Sequence, residues 1–137
     1  MITSLLSHYH FEIIKDKVKL YYSNVIFKKE IIGHIIPILY TDSFFNISHD
    51  GDELSLFIPS TFDVSNIKCL YSQSSEFSVI KVNQDSHQIN DVGVVREISD
   101  FFNSLNIPII YINSFNNNYI LIDTDNLPIF EKVLIEH

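Results

Sequence analysis

The sequence predicts an α+β protein built from two tandem ferredoxin-like modules, each with the element order βαββαβ. Hydrophobic residues make up 46% of the 137 positions, and they favour Ile, Phe, Tyr and Val, which suit a pleated sheet surface. A pattern of strand, polar turn and strand occurs twice, about 65 residues apart, which indicates a weak internal repeat. A strong helical period near residue 94 supplies the α component.

The first module is predicted over residues 1–82. Its opening segment alternates in places and is interrupted by lysines and Asp16, so it forms either one long strand or two strands with a kink. The remaining elements are assigned from periodicity and turn residues: a short helix over Ile26–Leu39, hairpin strands Phe44–Ser48 and Glu53–Ile58, a short helix over residues 61–70, and a strand over Phe77–Val82.

The second module is predicted over residues 83–137, after a polar linker at 83–90. Its elements are a helix from Val94 to Leu105 that Asn106 ends, strands Ile107–Phe115 and Tyr119–Asp123 around a turn of asparagines, and a final helix capped by Asp125 or Asn126. This module lacks its last strand because the final helix ends the sequence. We therefore expect the surplus N-terminal strand to complete its sheet.

Charge and composition disfavour several classes of function. The net charge is −8 with nine basic residues, so the chain lacks the basic face that nucleic acids or anionic membranes require. No apolar stretch reaches transmembrane length, and the N-terminal residues do not resemble a secretory signal. A single cysteine, Cys69, fits a reducing compartment, so we expect a cytoplasmic protein.

Motifs for catalysis and metal binding are missing from the sequence. The three glycines form no phosphate-binding loop, and no nucleophile elbow occurs. His8 and His10 would share one face of a strand, but zinc needs three or four ligands and the sequence positions no third. We therefore predict no enzymatic activity, no cofactor and no metal site.

Several short segments resemble an ACT domain of the subclass that includes small two-ACT bacterial proteins and the CASTOR family of cytosolic arginine sensors. In the second module these segments are Gly93–Ile98, Ile107–Ile109, Asn113–Ile122 and Asp125–Leu127. In the first module, Asp52–Pro59 is similar to the corresponding strand of the same proteins. The resemblance extends over nearly the whole chain, since the order of elements agrees from about Leu5 onward.

The resemblance implies an amino-acid site between the start of the second module's helix and the neighbouring strand. The positions that match are Gln88, Asp91, Val92, Gly93, Pro108, Ile109, Ser114, Phe115 and Asn118. A helix N-terminus suits an α-carboxylate, and a glycine there allows close approach of a ligand. Asn118 stands where the family has an acidic residue, so a cationic ligand loses one charge partner.

The function that follows is that of a non-enzymatic, amino-acid-binding regulatory sensor. The resemblance implies nutrient sensing, a homodimer that rebuilds a ligand interface, and a regulatory protein partner. Two alternatives stay open at the level of sequence. One is a protein-interaction module that keeps the fold without the ligand, and the other is a regulatory subunit of an amino-acid metabolic enzyme.

Overall fold

The computed structural model describes residues 9–84 and 93–136, which belong to two compact units. The central unit is Asp16–Glu76, and the terminal unit combines the two ends of the chain, Met1–Lys15 and Phe77–His137. Strand β5, Tyr71–Gln84, contributes residues to both units. The module division predicted at residues 82 and 83 falls inside this strand.

The described residues form seven strands and three α-helices in mixed order, which confirms the predicted α+β class. The strands are β1 Tyr9–Ile13, β2 Val18–Asn24, β3 Asn46–His49, β4 Glu53–Pro59, β5 Tyr71–Gln84, β6 Ile110–Asn113 and β7 Asn118–Asp123. The helices are α1 Lys28–Ile35, α2 Val94–Ser104 and α3 Leu127–Glu136. None of these helices is both long enough and apolar enough to cross a membrane.

The central unit is a ferredoxin-like sheet with strand order β3-β4-β2-β5, in which only the first part of β5 belongs to this unit. Both β2 and β3 pair with β4 in antiparallel register. The core joins one row of the helical segment to alternate residues of β4: Ile31, Ile35 and Ile38 with Leu54, Leu56 and Ile58. Because strand residues alternate between faces, the sequence of β4 places these apolar side chains on one side.

The terminal unit has the strand order β1-β5-β7-β6, and each neighbouring pair is antiparallel. β1 pairs with β5 from Tyr9 opposite Gln84 to Ile13 opposite Ile80. This pairing confirms that the N-terminal strand completes the sheet of the second module. The aromatic centre of the core is made by Phe11, Phe101, Phe102 and Phe130.

One local prediction was wrong. Residues 61–70 form turns rather than a helix, because Asp63 accepts a hydrogen bond from the backbone N–H of Ser65 at 2.9 Å. Such short polar side chains compete with helical hydrogen bonding. The final helix is preceded by a 3-10 turn, Thr124–Asn126, and Asp123 caps that turn by accepting from the N–H of Asp125.

The helical segment after β2 is shorter and less regular than predicted. α1 has eight residues and lies between two 3-10 turns, Val25–Phe27 and Ile36–Tyr40, the second of which contains Pro37. Gly33 lies within α1, and a Cβ atom built there has no atom within 4 Å. A glycine inside a helix costs about 0.5–1 kcal/mol relative to alanine, and packing against the described residues gives no reason for it.

The turn between β3 and β4 is held by the carboxylate of Asp50. Its Oδ1 accepts from the backbone N–H groups of Asp52 at 2.7 Å and Glu53 at 2.8 Å. These bonds, that of Glu53 first, lower the pKa of Asp50 below its ordinary value. The ionised carboxylate therefore stabilises the hairpin.

We expect Phe11→Ala to lower the free energy of unfolding by about 3 kcal/mol or more, because it empties a buried aromatic site. The Phe11 ring lies 5.9 Å from that of Phe101 and 5.5 Å from that of Phe130, centre to centre. Glu12→Ala, at an exposed position of the same strand, is the matched control and should change stability by less than about 0.5 kcal/mol. Denaturant titration measures both, and equal effects would contradict the role of β1.

We expect Asp50→Ala to destabilise the protein at neutral pH and to lose this effect in acid. A carboxyl whose folded pKa is lowered stabilises the native state above its unfolded pKa, and this contribution disappears as pH falls through the folded value. Urea unfolding of wild type and variant between neutral pH and about pH 3 measures the difference. A difference that stays constant with pH would show that the charge plays no part.

Candidate functional site

Among the described residues, no side chain caps the backbone N–H groups at the start of α2. Gly93 precedes the helix at φ 96° and ψ −4°, a left-handed conformation that only glycine adopts without strain. The first N–H groups of a helix have no acceptor within it and carry a partial positive charge. Helix starts of this kind attract small anionic groups.

A hydrogen bond between β1 and α2 positions this helix start. The Tyr9 hydroxyl donates to Oε2 of Glu97 in the first turn of α2 at 2.8 Å. Tyr9 is the residue of β1 that lies opposite Gln84, the last residue of β5. The first turn of α2 therefore lies at the end of the sheet where β5 ends.

The hairpin between β6 and β7 lies at the same end of the terminal unit. Asn118, at the start of β7, is opposite Val82 of β5 and Asn113 of β6. The backbone N–H of Ser114 donates to the Asn117 carbonyl at 2.9 Å, which closes the hairpin. Phe115 in this loop has 79% of its surface exposed. We call this region, with Gly93, Ser114, Phe115 and Asn118, the glycine end.

A second feature, an open groove of about 600 Å³, lies at the other end of α2. Its lining combines polar side chains of α2 and the following turn with an apolar wall: Ser99, Asp100, Asn103, Asn106, Ile107, Pro108 and Ile109. The turn is fixed because Asn106 adopts φ 58° and the N–H of Ile107 donates to the Phe102 carbonyl at 3.0 Å. This is the hydrogen-bond pattern of a Schellman C-cap.

The structure divides the predicted ligand positions between these two regions. Pro108 and Ile109 line the groove, whereas the glycine end holds the other four described positions. Gln88, Asp91 and Val92 lie outside the described residues. The lining of the groove begins at Ser99, which follows Gly93 by six residues, or about 9 Å of helix. The two regions therefore offer different groups of α2 to a ligand.

The sequence interpretation missed the polar side of the groove. Ser99, Asp100 and Asn103 follow the face of α2 opposite its apolar stripe, and Asp100 also lies 3.8 Å from Arg96. Their spacing places them on one polar helix face, but exposed faces of this kind are ordinary. Only the turn at Asn106, which brings Pro108 back toward the helix, makes that face part of a groove.

Neither nucleophilic nor metal chemistry is evident in the described parts of the chain. Burial, followed by the negative charge of Glu30, raises the pKa of the Cys69 thiol, which keeps it protonated and unreactive. Within residues 9–84 and 93–136, no three His, Cys, Asp or Glu side chains are grouped as a metal site requires.

Solved structures share this fold at low sequence identity. A protein of unknown function from Vibrio cholerae, a possible transport protein, is 16% identical with a TM-score of 0.69, covering 96% of this chain and 91% of that one. A protein from Agrobacterium tumefaciens is 14% identical with a TM-score of 0.71, covering 94% and 88%. The ligand-free regulatory subunit of aspartate kinase from Thermus thermophilus is 6% identical with a TM-score of 0.66, covering 92% and 95%.

These likenesses define the class of fold. The chain has the α+β, ferredoxin-like fold that the sequence predicted, and it shares this fold with the regulatory subunit of aspartate kinase. No protein-family model matches the sequence, and no curated protein sequence is significantly similar to it.

We expect Gly93→Ala to lower the free energy of unfolding by about 1–2 kcal/mol, because a residue with a Cβ is strained at this positive φ. Steric overlap is not the cause, since no described residue has an atom within 4 Å of the added Cβ. Gly51→Ala, also in open space and without a positive φ, is the matched control and should be near neutral. Similar losses in both variants, measured by denaturant unfolding, would contradict the assigned conformation.

Proposed function

We propose that this chain is a non-enzymatic regulatory protein that binds an amino acid at the glycine end of its terminal unit. The observation that carries the proposal is the start of α2, which no described side chain caps and which lies at the same end of the terminal unit as an exposed aromatic side chain, Phe115. The likeness to the regulatory subunit of aspartate kinase supports the same class of function.

The glycine end offers separate groups for the α-carboxylate and for the side chain of an amino acid. The first-turn N–H groups of α2 bind the α-carboxylate, because helix N-termini favour anions. Phe115 packs against the ligand side chain, and Ser114 and Asn118 form the polar border. Among the residues predicted from sequence alone, Asp91 would pair with the ligand ammonium, and Gln88 and Val92 would complete the site.

The groove is the weaker candidate for the same ligand. Asp100 and the carbonyl end of α2 give it a negative character, which suits an ammonium and disfavours a carboxylate. Pro108 contributes no N–H to an incoming carboxylate. In this proposal, Pro108 and Ile109 contact the ligand only in a homodimer, where the groove of one copy lies against the glycine end of the other.

Regulation in this proposal works by linkage. The homodimer has two arrangements, and the ligand binds one of them more tightly. Ligand binding therefore shifts the dimer toward that arrangement and changes its affinity for a protein partner. The size of the change is set by the difference between the ligand's affinities for the two arrangements. We place this activity in the cytoplasm and among CASTOR-like nutrient sensors. The proposal involves no cofactor and no contact with nucleic acid or membrane.

A second candidate is a regulatory subunit of a separate amino-acid metabolic enzyme. The observation that favours it is that the alignment with the Thermus regulatory subunit covers nearly the full length of both chains. Co-purification of such an enzyme, with activity that changes when this chain is added, distinguishes this candidate from a free-standing sensor.

We expect one amino acid among the twenty to raise the melting temperature in a saturable manner. A ligand that binds only the native state stabilises it by about 2.7 kcal/mol at a hundredfold excess over its dissociation constant. Thermal-shift measurements identify the ligand, and titration calorimetry gives its affinity and stoichiometry.

The variant Phe115→Ala should weaken this binding about tenfold while leaving the unliganded melting temperature unchanged, because the side chain is exposed. Ile135→Ala, at another exposed apolar position of the same unit, is the control and should bind normally. A flat panel on folded protein contradicts the sensor proposal. Affinity that is lost in Asp100→Ala and kept in Phe115→Ala contradicts the glycine end as the site.

A further inference from the structure

The helical segment of the central unit carries two parallel apolar rows, and only one of them belongs to the core. Ile31, Ile35 and Ile38 are buried against the sheet. The next position after each of them is again apolar and is exposed: Ile32, Ile36 and Leu39. We call these three the outer row, and Tyr40, with 87% of its surface exposed, continues it.

The row beside the outer row has little side-chain bulk at its centre and far end. Counting by four along the segment, the positions are Lys29, Gly33 and Pro37, and all three are exposed. A Cβ at Gly33 would lie in open space, so the glycine serves no contact with the residues that the structure describes. Glycine on an exposed helix face allows another backbone to approach closely. The two rows together therefore have the shape of a helix-crossing surface centred on Gly33.

Charges at the two ends of the segment complement each other. Lys28 and Lys29 lie in the first turn of α1, where the helix dipole disfavours cations, and Glu30 is the acidic residue of that turn. Asp42 follows the opposite end of the segment and is exposed. In an antiparallel pair of such helices, the lysines of one copy lie beside Asp42 and the carbonyl end of the other. A two-fold axis makes this contact twice.

The size of the surface fits a second copy of the chain. Ile26 and Phe27, at the start of the segment, are also exposed and extend the apolar area. Six large apolar side chains between residues 26 and 40 are each at least 38% exposed. A standard interface buries roughly 800 Å² per partner, which requires several such side chains. Exposed apolar groups of this extent on a monomer mark an interaction site.

We propose that α1 and its flanking turns form a homodimer interface in which two copies pack antiparallel across Gly33. This interface belongs to the central unit and is a different contact from the one between the groove and the glycine end, and it rests on the proposed function only for the regulatory meaning of the dimer. The interface requires no ligand, so it is tested without amino acids.

The experiment measures self-association of the full chain by sedimentation velocity over a range of concentrations in the absence of amino acids. Wild type should be a reversible dimer. Gly33→Leu and Ile36→Lys should each raise the dissociation constant at least about tenfold. Ile129→Lys, at a similarly exposed isoleucine of α3, is the matched control and should dimerise like wild type.

Unfolding of the variants at low concentration distinguishes a lost interface from a lost fold. Gly33→Leu should melt at or above the temperature of wild-type monomer, because leucine favours the helix and meets no steric obstacle. If the variants dimerise weakly because they are misfolded, their melting temperatures will lie below that of wild-type monomer. That result overturns the proposal.

Charge reversal tests the antiparallel arrangement. Lys29→Asp and Asp42→Lys should each weaken the dimer, and the double variant should regain wild-type association because the two charges are exchanged across the two-fold axis. A monomeric wild type, or a dimer that Gly33→Leu leaves intact, overturns the interface. Dimerisation with a flat amino-acid panel would instead leave the interface standing and remove the sensor function.

Discussion

The pairing of β1 with β5 is the contact on which the terminal unit depends. Without it, β5 would have an open edge, and such edges are prone to pair with other chains. The same strand brings Phe11 into the aromatic core and Tyr9 to the carboxylate of Glu97. The N-terminal strand β1 thus positions the start of α2, which carries the proposed ligand site and lies in the C-terminal part of the chain.

Periodicity in the sequence predicted the elements of the terminal unit closely. The apolar stripe of α2 defined that helix to within a residue of its observed end, Ser104, and Asn106 marked its termination by a left-handed turn. The polar half of β5, from Tyr71 to Glu76, was missed because its strand conformation depends on neighbouring strands rather than on its own pattern. Residues 61–70 were misassigned because spacing alone does not reveal side-chain to backbone hydrogen bonds.

The candidate site was harder to predict than the fold because sequence places residues on elements but does not give the end of the sheet at which they meet. Gly93 and the hairpin residue Phe115 come from connections at the same end, and the structure brings them to that end. Pro108 precedes β6, which runs toward the glycine end from the opposite end of the sheet. The division of the predicted positions therefore follows from strand direction.

The insertion of the central unit between β1 and β5 has a consequence for the order of assembly. Phe11 and its partner Val82 are far apart in sequence, and closing so long a flexible loop carries a large entropic cost. Within the central unit, however, β2 and β5 are sheet neighbours, so folding this unit brings its two chain ends together. The route of lowest entropic cost therefore begins with the middle of the polypeptide, and its two extremities join last.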